Sequence, residues 1–311
     1  MTVPFGYWVA FNAGVIVLLA VDLGLFNRKA HDVNFREAGL WSAFCVSLAL
    51  ALNYAIWQTF GPRAGTEFLA GYLVELSLSV DNLFVFAVIF GYFGVPAQYQ
   101  HRVLFWGILG AIVMRALMIF LGVALLNRFH WLLPVFGAFL IYTGIRMLRQ
   151  HSAEETVEEE SRIASFVRRY LPVTLAYHGK RFLVRDGGRL MITPLMLVLI
   201  MIELTDVVFA LDSIPAILGI TRDPFIVYSS NIMAIIGLRA MYFVLAGILT
   251  RFQYLHVGLS LVLTFIGAKM ILELFEVHVP IVVSLLVIAC VLVGSAVLSL
   301  VVTRRNSREE V

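Results

Sequence analysis

Cysteine is scarce in this chain, occurring only at Cys45 and Cys290 among 311 residues. Both stand in apolar segments far apart, so they read as small core residues, and neither a disulfide framework nor a thiolate metal site organises the fold. No basic run with interleaved aromatics suggests nucleic acid. The N-terminus has no basic stretch and no small-residue cleavage site, so the first apolar run is expected to be retained. No GxGD-type segment accompanies the acidic residues. An intramembrane aspartyl hydrolase, in which two Asp share a proton, therefore has little support.

What the chain has in excess is apolar character. Hydrophobic residues make up 61% of it and mean hydropathy is +0.92. A soluble domain is about 45–50% apolar, so a polytopic membrane protein is expected. The pattern predicts an all-α fold of nine membrane-spanning helices at 6–26, 39–60, 67–92, 102–126, 131–149, 191–218, 225–249, 255–275 and 280–302. Each has about the length that a ~30 Å hydrocarbon core requires. They must be helical because a lipid-exposed backbone has to satisfy its own hydrogen bonds.

The net charge of +3 matters less than its distribution. Arg28, Lys29, Arg36, Arg102, Arg146, Arg149, Arg251, the seven basic residues of the long loop and Arg304, Arg305 and Arg308 would share one side. The other side would have only Arg63, Arg128 and Arg222, a ratio of seventeen to three. The positive-inside rule then places the N-terminus outside and the C-terminus in the cytoplasm of an inner, plasma membrane.

Two spans carry charge where lipid disfavours it. Residues 196–216, MLVLIMIELTDVVFALDSIPA, hold Glu203, Asp206 and Asp212; residues 71–86, GYLVELSLSVDNLFVF, hold Glu75, Asp81 and Asn82. An ionised Asp at the centre of a membrane helix costs about 2.5–3.5 kcal/mol on insertion scales. At 100° per residue, Glu75, Ser79 and Asn82 form one polar stripe, with Asp81 on a different side. Glu203 and Asp206 share a face at i, i+3, and Ser213 falls beside Asp206 at i+7. Asp212 lies opposite Glu203 in a straight helix, and a break at Pro215 would redirect it towards the site.

Carboxylates with amide and hydroxyl oxygens, without Cys or His in either span, suit Mn²⁺, Mg²⁺ or Ca²⁺ rather than thiophilic metals. Proton release on metal binding would couple the two as an antiport. Arg115 and Arg239 stand mid-span and are expected to pair with carboxylates. With Asp22 the membrane acids number six, against Arg115, Arg239 and Lys269. A divalent cation and one proton would neutralise the excess. The bland readings are a structural hydrogen bond for Asp22, snorkelling for Lys269, and interhelical hydrogen bonds for Asn53 and Asn231.

The chain also repeats itself. Met114-Arg115-Ala116, Arg128-Phe129 and Gly144-Ile145-Arg146-Met147 are echoed by Leu238-Arg239-Ala240, Arg251-Phe252 and Gly267-Ala268-Lys269-Met270. Glu75-Leu76-Ser77 matches Glu203-Leu204-Thr205, which leaves Asp81 without an acidic counterpart. The unit is three spans, so the second copy enters the membrane inverted, as in transporters whose site lies where the repeats meet. The expected organisation is two helices (1–66), a first three-helix repeat (67–149), a cytoplasmic loop (150–190), the inverted repeat (191–275), and a final helix with a cytoplasmic tail (276–311). The loop reads as a solvated helix with pairs such as Glu158 and Arg162.

The motifs ELSLSVDNLFVF (75–86), IELTDVVFALDSIPA (202–216) and DPFIVYSSNIMAIIGLRAMYF (223–243) resemble the TerC family of membrane proteins, in its Alx-like branch. The resemblance implies manganese(II) export or homeostasis and an inverted repeat like that of LysE-type exporters. It also implies that Glu75, Asp81, Glu203, Asp206 and Asp212 line the metal path. A carrier rather than an enzyme is expected, with no resident cofactor, a divalent cation as cargo and the bilayer as partner. The alternative is an assembly or secretion partner that supplies metal to exported proteins.

Overall fold

A computed structural model describes residues 3–26, 35–129, 131–149, 172–174, 177–186, 189–245, 255–275, 277 and 279–309. Within these ranges some side chains, including those of Asp22, Asp81 and Arg239, lie outside the described set. Among the described residues there are nine α-helices: α1 (Phe5–Phe26), α2 (Phe35–Phe60), α3 (Pro62–Tyr92), α4 (Ala97–Arg128), α5 (Leu132–Arg149), α6 (Pro194–Leu218), α7 (Pro224–Leu245), α8 (Leu255–Leu272) and α9 (Ile281–Glu309). Each overlaps one of the nine apolar segments read from the sequence. Four contain stretches long and apolar enough to cross a membrane: Glu37–Phe60, Ala97–Arg128, Pro194–Leu218 and Ile281–Ser299. Shorter apolar stretches occupy Phe5–Val21, Leu132–Leu148, Pro224–Leu238 and Val257–Leu272.

Helix starts follow from local chemistry. Three helices begin with Pro at their first position, where its missing N–H costs nothing. Before Pro62, Gly61 adopts φ 92°, which a side chain would oppose. Before Pro194, the Thr193 hydroxyl accepts from the Met196 amide at 3.3 Å. Before Pro224, Asp223 Oδ1 accepts from the amides of Phe225 and Ile226.

The helices pack in pairs. α5 lies most extensively against α8, α3 against α7, and α4 against α6. α3 also touches α6, α4 touches α7, and α2 covers α7 and α3. The centre is α7, where every residue from Phe225 to Leu238 is buried. The outer helices α1, α2 and α9 instead expose large apolar side chains, among them Ile16, Leu40, Leu286 and Val293. Such a surface suits lipid rather than water.

The α5–α8 pair is drawn together by small residues. A Cβ on Gly137 would stand 2.7 Å from the Gly267 carbonyl oxygen, and one on Gly144 would stand 2.7 Å from the Ser260 carbonyl oxygen. Close backbone approach through small residues is the usual basis of helix association in membranes, where burial adds no driving force.

Two expectations are corrected. Pro215 does not break α6, which runs through it to Leu218. Pro215 has no N–H to give the Leu211 carbonyl, and the helix continues past it for three more residues. The chain also has a two-stranded antiparallel hairpin, β1 (Leu183–Asp186) and β2 (Arg189–Ile192), where a loop and the start of span six were expected. It is tied to the bundle: the Tyr177 hydroxyl donates to the Phe93 carbonyl at 2.8 Å, and the Arg102 guanidinium lies 4.9 Å from the Phe182 ring centre. The expected Glu158–Arg162 helix lies outside the described residues.

Candidate metal site

The site forms where α3, α4, α6 and α7 meet. α3 brings Glu75, Ser79 and Asn82, all buried along one stripe. α6 contributes Asp206 and Ser213, also buried. Arg115 of α4 enters between them with no exposed surface. Its Nε and Nη2 donate to the two Asp206 oxygens at 3.1 and 2.9 Å, a bidentate pair. Its Nη1 donates to Glu75 Oε1 and, at 3.3 Å, to Ser213 Oγ. From α7, Asn231 Nδ2 donates to Glu75 Oε2 at 2.8 Å.

One guanidinium thus faces two carboxylates in a dry setting. Removing one partner of such a group leaves an uncompensated buried charge, which costs about 3–5 kcal/mol.

Two oxygen atoms beside Glu75 have no hydrogen-bond partner: Ser79 Oγ and Asn231 Oδ1. Both residues are fully buried. The donor end of the Asn231 amide must face the Glu75 carboxylate, so its oxygen faces away. Orphaned buried oxygens are costly, about 1–3 kcal/mol each, and call for an occupant.

The other expected ligands do not converge here. Glu203 is only partly buried, and its carboxylate fills the space left open by Gly110 of α4. Asp212 turns to α5, where the Thr143 hydroxyl donates to its Oδ1 at 3.2 Å. With the helix unbroken at Pro215, nothing swings it back. The side chains of Asp81, Asp22 and Arg239 lie outside the described residues. Among the described residues, no three His, Cys, Asp or Glu side chains come together as a ready metal cage. The acids are divided because Arg115 stands between Glu75 and Asp206, and because Glu203 and Asp212 leave α6 in other directions.

Asn231 makes the interhelical hydrogen bond expected of it, whereas Asn53 Oδ1 has no partner. Lys269 is partly buried and lines a second feature that the sequence reading missed. A cavity of about 1020 Å³ opens at one end of the bundle, lined by Arg63, Glu67, Arg222, Asp223, Lys269 and Glu273 among others. Glu67 is buried there, accepting from Thr221 Oγ1 at 2.6 Å and from Arg63 Nε at 2.9 Å. It lies on the same face of α3 as Gly71 and Glu75, two four-residue steps away and so about 12 Å along the axis. That spacing was the available signal.

Comparison with known proteins agrees with this architecture. Residues 60–307, which contain the whole site, match the integral membrane protein TerC family. The chain is 54% identical over 299 residues to the membrane protein STKORF319 of Myxococcus xanthus, covering 96% of this chain and 93% of that one. It is 46% identical over 312 residues to an Escherichia coli (strain K12) protein provisionally named membrane-bound redox modulator Alx, covering 97% and 96%. A membrane protein of Rickettsia bellii is 40% identical over 281 residues, covering 90% and 92%. No solved structure matches. The matched region of this chain carries both acid-bearing helices, and the chain belongs to the integral membrane protein TerC family.

Proposed function

We propose that the protein is a carrier for a divalent cation, Mn²⁺ in the first instance, and that it is not an enzyme. The observation that carries this is the buried set of Glu75, Asp206, Ser79 and Asn231, two carboxylates with two unpartnered oxygens inside a membrane bundle. Hard oxygen donors without thiolate or imidazole match such an ion. The choice of manganese and of export rests on the family resemblance. The proposed setting is an inner membrane crossed nine times, with the N-terminus outside and the hairpin in the cytoplasm.

The packing supports an inverted repeat of α3–α5 and α6–α8. The α3–α7 contact has α6–α4 as its counterpart, and α5–α8 is its own. The close approach of Gly137 to Gly267 is mirrored by that of Gly144 to Ser260. Ser230 against Gly71 is mirrored by Ile202 against Gly107. These contacts favour moving the alignment of α6 by three residues, so that Glu75 corresponds to Asp206, Asp81 to Asp212 and Asn82 to Ser213. Asp81 then gains the acidic counterpart it lacked.

Flux of Mn²⁺ into proteoliposomes holding a pH-sensitive dye tests the reading. The native chain is expected to move Mn²⁺ with a counterflow of protons. Glu75→Gln and Asp206→Asn should each lower flux at least about tenfold. Full activity in both variants would sink the proposal.

The alternative, a secretion partner that supplies metal, draws on the hairpin as an ordered soluble element. Deleting residues 152–188 separates the two, since a carrier keeps much of its flux and a docking protein does not. A redox role of the kind named for the Escherichia coli relative gains little from the thiols: Cys45 is buried, Cys290 is exposed, and they are not joined.

A further inference from the structure

The guanidinium of Arg115 stands where an ion shared by Glu75 and Asp206 would sit. It engages both Asp206 oxygens, one Glu75 oxygen and the Ser213 hydroxyl. A divalent cation ligated by both carboxylates, at about 2.0–2.6 Å, needs the same lone pairs and repels the guanidinium. The two cannot share the seat. We propose that Arg115 is a built-in competitor of the transported cation, seated between Glu75 and Asp206 in the empty protein and expelled when the ion binds. This rests on the reading that these two acids take the cation.

The arrangement explains how a tethered arginine can be displaced. The planar fork of Arg115 leaves Ser79 Oγ and Asn231 Oδ1 unused. A small ion that collects oxygens from all sides takes up the Ser79 hydroxyl, one helical turn from Glu75, and gains the Asn231 oxygen once that amide turns over from donating to Glu75. The cation therefore gains ligands that the guanidinium leaves idle. In the other direction, the returning arginine offsets one of the two carboxylate charges and the counterflowing proton the other, so the protein completes its cycle without its metal cargo. Without Arg115 the acids retain their ion, and the protein exchanges cation for cation but does not turn over in net transport.

Mn²⁺ binding to the purified full-length protein by equilibrium dialysis, paired with flux in proteoliposomes, tests this. Arg115→Gln is expected to bind Mn²⁺ at least about tenfold tighter, to exchange labelled for unlabelled Mn²⁺, and to lose net uptake. Arg115→Lys keeps the charge, so it guards against misfolding. Its ammonium cannot hold both Asp206 oxygens and Glu75 in one plane, so binding should tighten about threefold or more while net uptake continues. Unchanged or weaker binding in the Lys variant overturns the proposal, as does a Gln variant that folds and keeps native net uptake. Asp206→Asn separates this failure from that of the carrier reading. Native binding that survives Asp206→Asn refutes the site itself, whereas binding that Asp206→Asn abolishes and Arg115 variants leave unaltered refutes only the competition. A native protein that binds no Mn²⁺ overturns both.

Discussion

Ser79 and Asn231 show how much one atom can decide. A buried hydroxyl with no partner costs about 1–3 kcal/mol, so Ser79→Ala should hold or raise the melting temperature in detergent. The same change should weaken Mn²⁺ binding, because it removes an oxygen donor. Lower stability with unaltered binding would mark Ser79 as a packing residue. Asp206→Asn should act in the opposite sense on stability, costing about 3–5 kcal/mol because Arg115 loses its bidentate partner. Chemical denaturation in micelles would measure it, and a loss under about 1 kcal/mol would mean that Arg115 finds another acceptor. Helical periodicity placed Glu75, Ser79 and Asn82 on one stripe and Ser213 beside Asp206; Glu75, Asp206 and Ser213 share Arg115, while Ser79 and Asn82 are buried on the same helix as Glu75. Periodicity could not separate Glu203 from Asp206. They differ by about 60° around α6, and at a crossing with α4 that angle sends one to Gly110 and the other to Arg115. Asn231 was legible as an interhelical bond, but its orphaned oxygen depends on which atoms surround it.

At the scale of elements, the α5–α8 contact is the one least able to give way. A methyl at Gly137 or Gly267 would meet backbone, not the end of a flexible chain. Gly137→Ala and Gly267→Ala should each destabilise by about 1–3 kcal/mol. Gly14→Ala is the control, since nothing lies within 4 Å of the added atom. It should be neutral or slightly stabilising. Equal melting temperatures for all three variants would dismiss the close-packed seam. The helices themselves were readable because an apolar run of about twenty residues has few other solutions. The hairpin was missed although Phe182-Leu183-Val184-Arg185-Asp186-Gly187-Gly188-Arg189 carries a Gly-Gly turn signal between its two strands. The apolar residues of β2 ran into the next helix in the hydropathy pattern. The Thr193-Pro194 boundary, a cap followed by proline, marks the true start.

For the whole molecule, the proposed orientation makes a labelling prediction. An impermeant thiol reagent should label Arg222→Cys from outside intact cells and Arg181→Cys only after permeabilisation, in a background lacking Cys45 and Cys290. The reverse pattern would invert the proposed direction of transport. On the proposed orientation, the cavity near Glu67 faces the exterior. Its charged lining is balanced, with Arg63, Arg222 and Lys269 against Glu67, Asp223 and Glu273. A mouth without net charge does not concentrate cations from bulk water, and field-assisted capture is lost. An ion released there diffuses away instead of being drawn back, so backflow is slow for kinetic reasons alone. The field at the exit therefore sets how fast released ions are recaptured, while the gradients across the membrane set which way net flux runs.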